Sequence, residues 1–147
     1  MHWGLIVRRD VAYIPTSART EAGFYLEVEP IEMAKVNDTE GFREAVKAAL
    51  SRGNPKMATP KREGYGKPPI LKYAKVKSLS QMERESSFWG ITENNGNYEF
   101  GPYKRRPDRG WEEDPSRIVK IAPASTIDEV VEQIVKAIQL SAAGNCQ

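Results

Sequence analysis

The sequence predicts a single α+β domain spanning residues 1–147, a twisted and mostly antiparallel sheet of roughly five to seven strands packed by two main helices, Thr39–Arg52 and Ile127–Leu140. Three observations carry this prediction. Asn95-Gly96 is a favoured pair for a two-residue type I′ turn, since both positions need positive φ. With that turn Asn94 faces Asn97, Glu93 faces Tyr98, Ile91 faces Phe100 and Trp89 faces Pro102, so the apolar residues of both strands share one face. Phe24, Leu26 and Val28 alternate with Tyr25, Glu27 and Glu29, the pattern of a half-exposed strand. Ile127, Val130, Val131, Ile134, Val135 and Ile138 form an apolar stripe at helical spacing.

In chain order, Trp3–Arg9 reads as a strand with Trp3, Leu5 and Val7 on one side, and Arg9-Asp10 turns the chain. Val11 begins a second strand expected to end at Pro15, which has no N–H for a ladder. Pro30 is expected to interrupt the third strand, with Ile31–Val36 resuming as a separate one. Asn37 and Asp38 are both suitable N-caps for the first helix, whose face is Phe42, Ala45, Val46 and Ala49, and Gly53 suits its C-terminal end. Residues 53–69 carry four prolines and three glycines, which predicts a long irregular loop, and its cations Lys56, Lys61, Arg62 and Lys67 surround Tyr65. Ile70–Val76 alternates and reads as a strand, after which Ser78 or Ser80 caps a short helical turn through Met82 and Glu85. Beyond the hairpin, a second basic loop from Tyr103 to Trp111 carries Lys104, Arg105, Arg106 and Arg109. Ile118–Ala122 reads as one more strand. Ser125 or Thr126 caps the last helix, with Asp128 and Glu129 in its first turn, and the tail at 141–147 is expected to fray.

Composition narrows the function. Apolar content of 39% and charged content of 29% are those of an ordinary globular protein. No apolar run approaches the length of a membrane span, and the order of charges at the N-terminus is the reverse of a secretory signal, so no membrane association is expected and the default compartment is the cytosol. His2 is the single histidine and Cys146 the single cysteine. Because that histidine sits at a terminus, triads built on histidine and histidine metal sites are not expected; one cysteine forms no intrachain disulfide, and no glycine-rich phosphate loop is present. No catalytic residue, metal or cofactor is assigned; the remaining enzymatic route is carboxylate chemistry, which needs Glu93, Glu99, Glu112 or Glu113 to converge.

The net charge of +2 is unevenly spread, with acids concentrated from Glu21 to Glu44 and bases from Arg52 to Lys77. Lys61, Arg62, Tyr65, Tyr103, Arg105, Arg106, Arg109 and Trp111 are the candidate partner-binding residues. Tyr, Trp and Arg are the types that anchor protein interfaces, and the same set interleaved with Lys can also stack bases and hold phosphates. A single basic surface requires residues 53–69 and 103–111 to lie together.

The stretches WGLIVRRDVAYIPTSARTEAGFYLEVEP, ILKYAKVKS and WGITENNGNYEF resemble the small cytosolic immunity proteins of bacterial contact-dependent growth-inhibition and related polymorphic toxin systems. The resemblance implies a non-enzymatic protein that binds one cognate toxin domain, often a nuclease, and occludes its active site or substrate surface. It leaves open whether the acidic Glu21–Glu44 region or the basic loops make the contact. The alternative from the residues alone is a nucleic-acid-binding protein using the two basic loops.

Overall fold

The structure, a computed structural model, describes residues 1–61, 68–107, 110–123 and 125–144. The elements run β1 (His2–Arg8), β2 (Val11–Thr20), β3 (Tyr25–Lys35), α1 (Thr39–Arg52), β4 (Lys56–Met57), α2 (Ile70–Ala74), α3 (Leu79–Glu85), β5 (Ser86–Asn94), β6 (Asn97–Arg105), β7 (Trp111–Glu113), β8 (Val119–Lys120) and α4 (Ile127–Gly144). Six strands lie in the order β3-β2-β1-β5-β6-β7, every neighbouring pair antiparallel. Strand β4 joins β2 in parallel, and β8 joins β6 antiparallel. The chain is thus an α+β domain built on one sheet of eight strands.

The two sides of the sheet are covered differently. On the first, Trp3, Leu5, Ala12, Ile14, Trp89, Ile91 and Phe100 meet α1 and α4. Helix α1 brings Phe42, Ala45, Val46, Ala49 and Leu50, and α4 brings Val130, Val131, Ile134, Val135 and Ile138. Burying each large apolar side chain stabilises the fold by roughly 1.5–3 kcal/mol, so this layer dominates folding. Asp38 caps α1 by accepting from the Gly41 N–H at 3.2 Å, and Gly53 closes it at φ 68°. Helix α4 starts with a reciprocal box, in which Thr126 Oγ1 accepts from the Glu129 N–H while Glu129 Oε1 accepts from the Thr126 N–H.

On the second side, Ile6, Tyr13 and Ile31 meet Ile70, Leu71, Ala74, Val76 and Met82 from the α2–α3 segment. Arg8 fastens this layer to β1, donating to Glu85 at 2.7 Å and to the Ala74 carbonyl at 3.4 Å. The hydrogen bond from Arg8 holds the Glu85 carboxyl below its ordinary range.

The hairpin β5–β6 has the expected register from Trp89↔Pro102 to Asn94↔Asn97, with Asn95 and Gly96 at positive φ. Other expectations are corrected. Residues 70–74 form a helix: Ile70, Leu71 and Ala74 bury together at helical spacing, and Lys75 ends the turn at φ 59°. Strand β2 continues through Pro15 to Thr20, because β1 pairs with it only at Val11–Tyr13. Pro15 therefore lies beyond the two-sided stretch, at a register shift against β3. Strand β3 likewise runs through Pro30, whose carbonyl accepts from Thr16 Oγ1 at 2.7 Å inside that bulge.

The expected loop from Tyr103 to Trp111 is a second hairpin, with Tyr103↔Glu113, Lys104↔Glu112 and Arg105↔Trp111 paired across β6 and β7. Only Val119 and Lys120 of the 118–122 stretch pair as strand. Helix α4 extends past Leu140 to Gly144, so the tail expected to fray from 141 begins as helix; residues 145–147 lie outside the described residues. Residues 62–67 of the expected 53–69 loop also lie outside them.

Beyond Tyr13, β1 and β2 separate, and the fork is closed by one side chain. Asn54 Oδ1 accepts from the His2 N–H at 2.9 Å, while its Nδ2 donates to the carbonyls of His2 and Ser17, each at 2.8 Å. A carboxamide supplies both a donor and an acceptor, so it completes the ladder where no strand fits.

Candidate functional site

The part of the second side that α2 and α3 leave open is built around two glycines. Gly4 of β1 and Gly90 of β5 are register partners. A Cβ on Gly4 would stand 2.8 Å from Phe88 Cζ, and one on Gly90 would stand 2.5 Å from Tyr103 Cε1. Their missing side chains are what allow two rings to lie against the sheet. Phe88 meets Tyr103 edge-on at 4.9 Å between centroids and lies near-parallel to Trp111 at 6.2 Å. These separations are the favourable ones for aromatic pairs. Arg105 extends this cluster, its guanidinium 6.0 Å from the Trp111 ring.

Beside the cluster runs a groove of about 590 Å³, walled by Tyr25, Phe88, Trp111 and Met82 and rimmed by Pro60 and Pro68. Glu27 reaches into it from β3. Its Oε1 is 3.6 Å from where a Gly4 Cβ would lie, the same position that Phe88 crowds. Burial pushes the Glu27 carboxyl above its ordinary range. The neighbouring acids are engaged: Glu29 pairs with Lys72 at 3.5 Å, and Glu83 accepts from the Gly110 N–H at 3.3 Å. Beside the groove's Tyr25, the His2 ring sits 5.5 Å away. Burial lowers the His2 pKa, against the opposing pull of Glu113. Burial raises that of Tyr103, and Glu113 adds to the shift while accepting from the phenol at 3.5 Å.

Of the expected site residues, Tyr103, Arg105 and Trp111 come together here. Arg106 and Lys61 are exposed. Arg62, Tyr65 and Arg109 lie outside the described residues. Met57 and Pro60 of the 53–69 segment line the same groove as Trp111. What the described residues of the two segments share there is apolar, however, and Lys104 is drawn across its own hairpin to Glu112 at 3.8 Å.

The carboxylates considered for catalysis are mostly occupied. Glu93 accepts from the Gly96 N–H at 2.7 Å, and Glu112 pairs with Lys104. Glu99, Glu113 and Asp114 line a cavity of about 30 Å³, the space of roughly one water. Among the described residues no cluster of three potential metal ligands occurs, and no helix is long and apolar enough to cross a membrane. A second cleft, of about 720 Å³, opens between α4 and the β1–β2 turn. Its apolar wall, Val7, Trp89 and Ile138, is the end of the main core, and of its two carboxylates, Asp10 and Glu85, the second is held by Arg8.

Phe88, Gly4, Gly90, Tyr25 and Glu27 were not singled out from the sequence. A signal existed for three of them. Trp-Gly occurs at 3–4 and again at 89–90, in two strands that pair glycine to glycine, and strand parity puts Phe88 on the Tyr103 face.

No protein-family model and no curated protein matches the chain. Solved structures do. A protein of unknown function from Neisseria meningitidis, NMB0488, superposes with a TM-score of 0.62 over 89% of this chain and 88% of its own, at 14% identity. A chain of the CdiA-CT/CdiI toxin and immunity complex from Yersinia pseudotuberculosis superposes with a TM-score of 0.61 over 96% of this chain and 95% of its own, at 12% identity. At these identities the likeness is one of fold, and it embraces nearly the whole chain.

Proposed function

We propose that this chain is a non-enzymatic protein-binding module: a bacterial immunity protein of a contact-dependent growth-inhibition or related toxin system, which neutralises one cognate toxin domain by binding it directly in the cytosol. The observation that carries this reading is the fold shared end to end with a chain of a toxin and immunity complex. The aromatic groove adds to it. Phe88, Tyr103, Trp111 and Arg105 are of the types that concentrate binding energy at protein interfaces, and here they cluster on a rigid sheet.

Nucleic-acid binding is the weaker reading, because Lys104 is answered by Glu112 and Arg105 by Trp111. It would show as oligonucleotide affinity falling steeply with salt. The deciding experiment expresses the toxin-sized reading frame encoded beside this one, with and without this chain. Rescue of growth together with co-purification supports the immunity reading; toxicity that persists with the chain folded and abundant overturns it.

A further inference from the structure

We propose that the groove beside Phe88 receives one cationic side chain, an arginine or lysine presented by the partner protein, with Glu27 as its counter-ion. The inference rests on the protein-binding reading above and adds what the partner must offer.

The groove has one charge left over. The walls, Tyr25, Met82, Phe88 and Trp111, suit an apolar stem or a flat cation. Three carboxylates, Glu27, Glu29 and Glu83, also line the groove, and Glu27 is the one left over. Among the described residues it has no hydrogen-bond or salt-bridge partner, whereas Glu29 and Glu83 beside it are paired. Among the described residues, two nearby cations are committed elsewhere, Lys72 to Glu29 and Arg105 to the face of Trp111.

An apolar occupant would cover Glu27 and leave its charge without water or a partner, and an anionic one would be repelled. A lysine or arginine meets both demands, since its methylenes lie along the rings while its head reaches the carboxylate. The raised Glu27 pKa reports the same unmet need from the protein's side.

The test uses capped amino-acid amides as probes. The ¹⁵N-labelled full chain is titrated in turn with N-acetyl-arginine amide, N-acetyl-lysine amide and the uncharged isostere N-acetyl-norleucine amide, following the amide signals of Gly4, Glu27 and Trp111. The two cations should shift these signals saturably in the millimolar range, and norleucine should not. Glu27→Gln should weaken cation binding by at least about tenfold, and Glu112→Gln, outside the groove, should leave it unchanged. Norleucine binding as well as lysine, equal binding by Glu27→Gln, or the absence of localised shifts with either cation each overturns the proposal.

A second arm asks whether Glu27→Lys abolishes protection against the toxin. Protection that survives this substitution in a folded protein sinks the groove while sparing the immunity reading. Failure of the unaltered chain to protect sinks the immunity reading, and the amide titration still judges the groove.

Discussion

The two sides of the sheet use the same strands for opposite purposes. In β1, Trp3, Leu5 and Val7 go to the side sealed by α1 and α4, while Gly4 and Ile6 go to the other. In β5, Trp89 and Ile91 are sealed, while Phe88 faces the groove and Gly90 lies under the Tyr103 ring. The sealed side is covered by helices of 14 and 18 residues, the open side by helices of five and seven. Because side-chain direction alternates along a strand, each strand can change its open face without touching its core face. Stability is concentrated on one side, and the other is left for the recognition proposed above.

The largest expected effect tests the sealed side. Phe42→Ala removes a fully buried ring and should cost about 3–5 kcal/mol in urea unfolding. Phe88→Ala, on the open side, should cost less than half as much and instead weaken partner binding; equal destabilisation by the two would erase the contrast. Next comes Gly90→Ala, whose new Cβ would collide with the Tyr103 ring. It should cost about 1–3 kcal/mol and change the ring-current shifts of Phe88 and Tyr103, and an undisturbed aromatic NMR spectrum would contradict the packing described.

Glu27→Gln should run the other way, stabilising the chain at pH 7 by on the order of 1 kcal/mol. A carboxyl whose folded pKa is raised binds more protons folded than unfolded. Its contribution to stability is therefore lost as pH rises from about 4.3, the unfolded value, through the folded value. The glutamine variant should lack that fall in unfolding measured from acid to neutral pH. Glu85 has the opposite sign: held low by Arg8, it contributes fully above the unfolded value and loses that contribution as pH falls through its folded one. Arg8→Met should therefore flatten the acid limb and speed hydrogen exchange in residues 70–85, leaving α4 protected. The smallest effect is Glu112→Gln, within about 0.5 kcal/mol, since its pair with Lys104 is largely exposed. A larger loss would mean that the second hairpin carries weight for the sealed side.

Most of the architecture was legible in the residues. Asn95-Gly96 and two matching alternations fixed the hairpin register, and the stripe on α4 and the Phe42–Ala49 face placed both helices on the sheet. Residues 70–76 misled because five helical residues are too few for a period to declare itself. Ile70, Lys72, Ala74 and Val76 satisfy a strand pattern by coincidence, and Pro68-Pro69, which open a helix well, were the better sign. Pro15 misled because its cost depends on whether a strand lies alongside, which only the fork between β1 and β2 reveals. Within the site, Tyr103 and Trp111 could be read as anchors. Glu27 could not, since a glutamate on an alternating strand looks solvated until the groove around it is known.

Asn54 has a consequence for how this molecule can vary. With the Arg19 N–H donating to the Pro55 carbonyl and the Glu21 N–H to the Met57 carbonyl, it moors the start of the groove's rim to the sheet. On the far side, the Leu71 and Lys72 N–H groups donate to the carbonyls of Pro68 and Pro69 and moor its end. Residues 58–61, just past the first mooring, belong to no strand, and their charges can change without altering the pairing of any strand. On the reading proposed above, a lineage facing a changing partner could redraw the groove's border there while inheriting the sealed core intact.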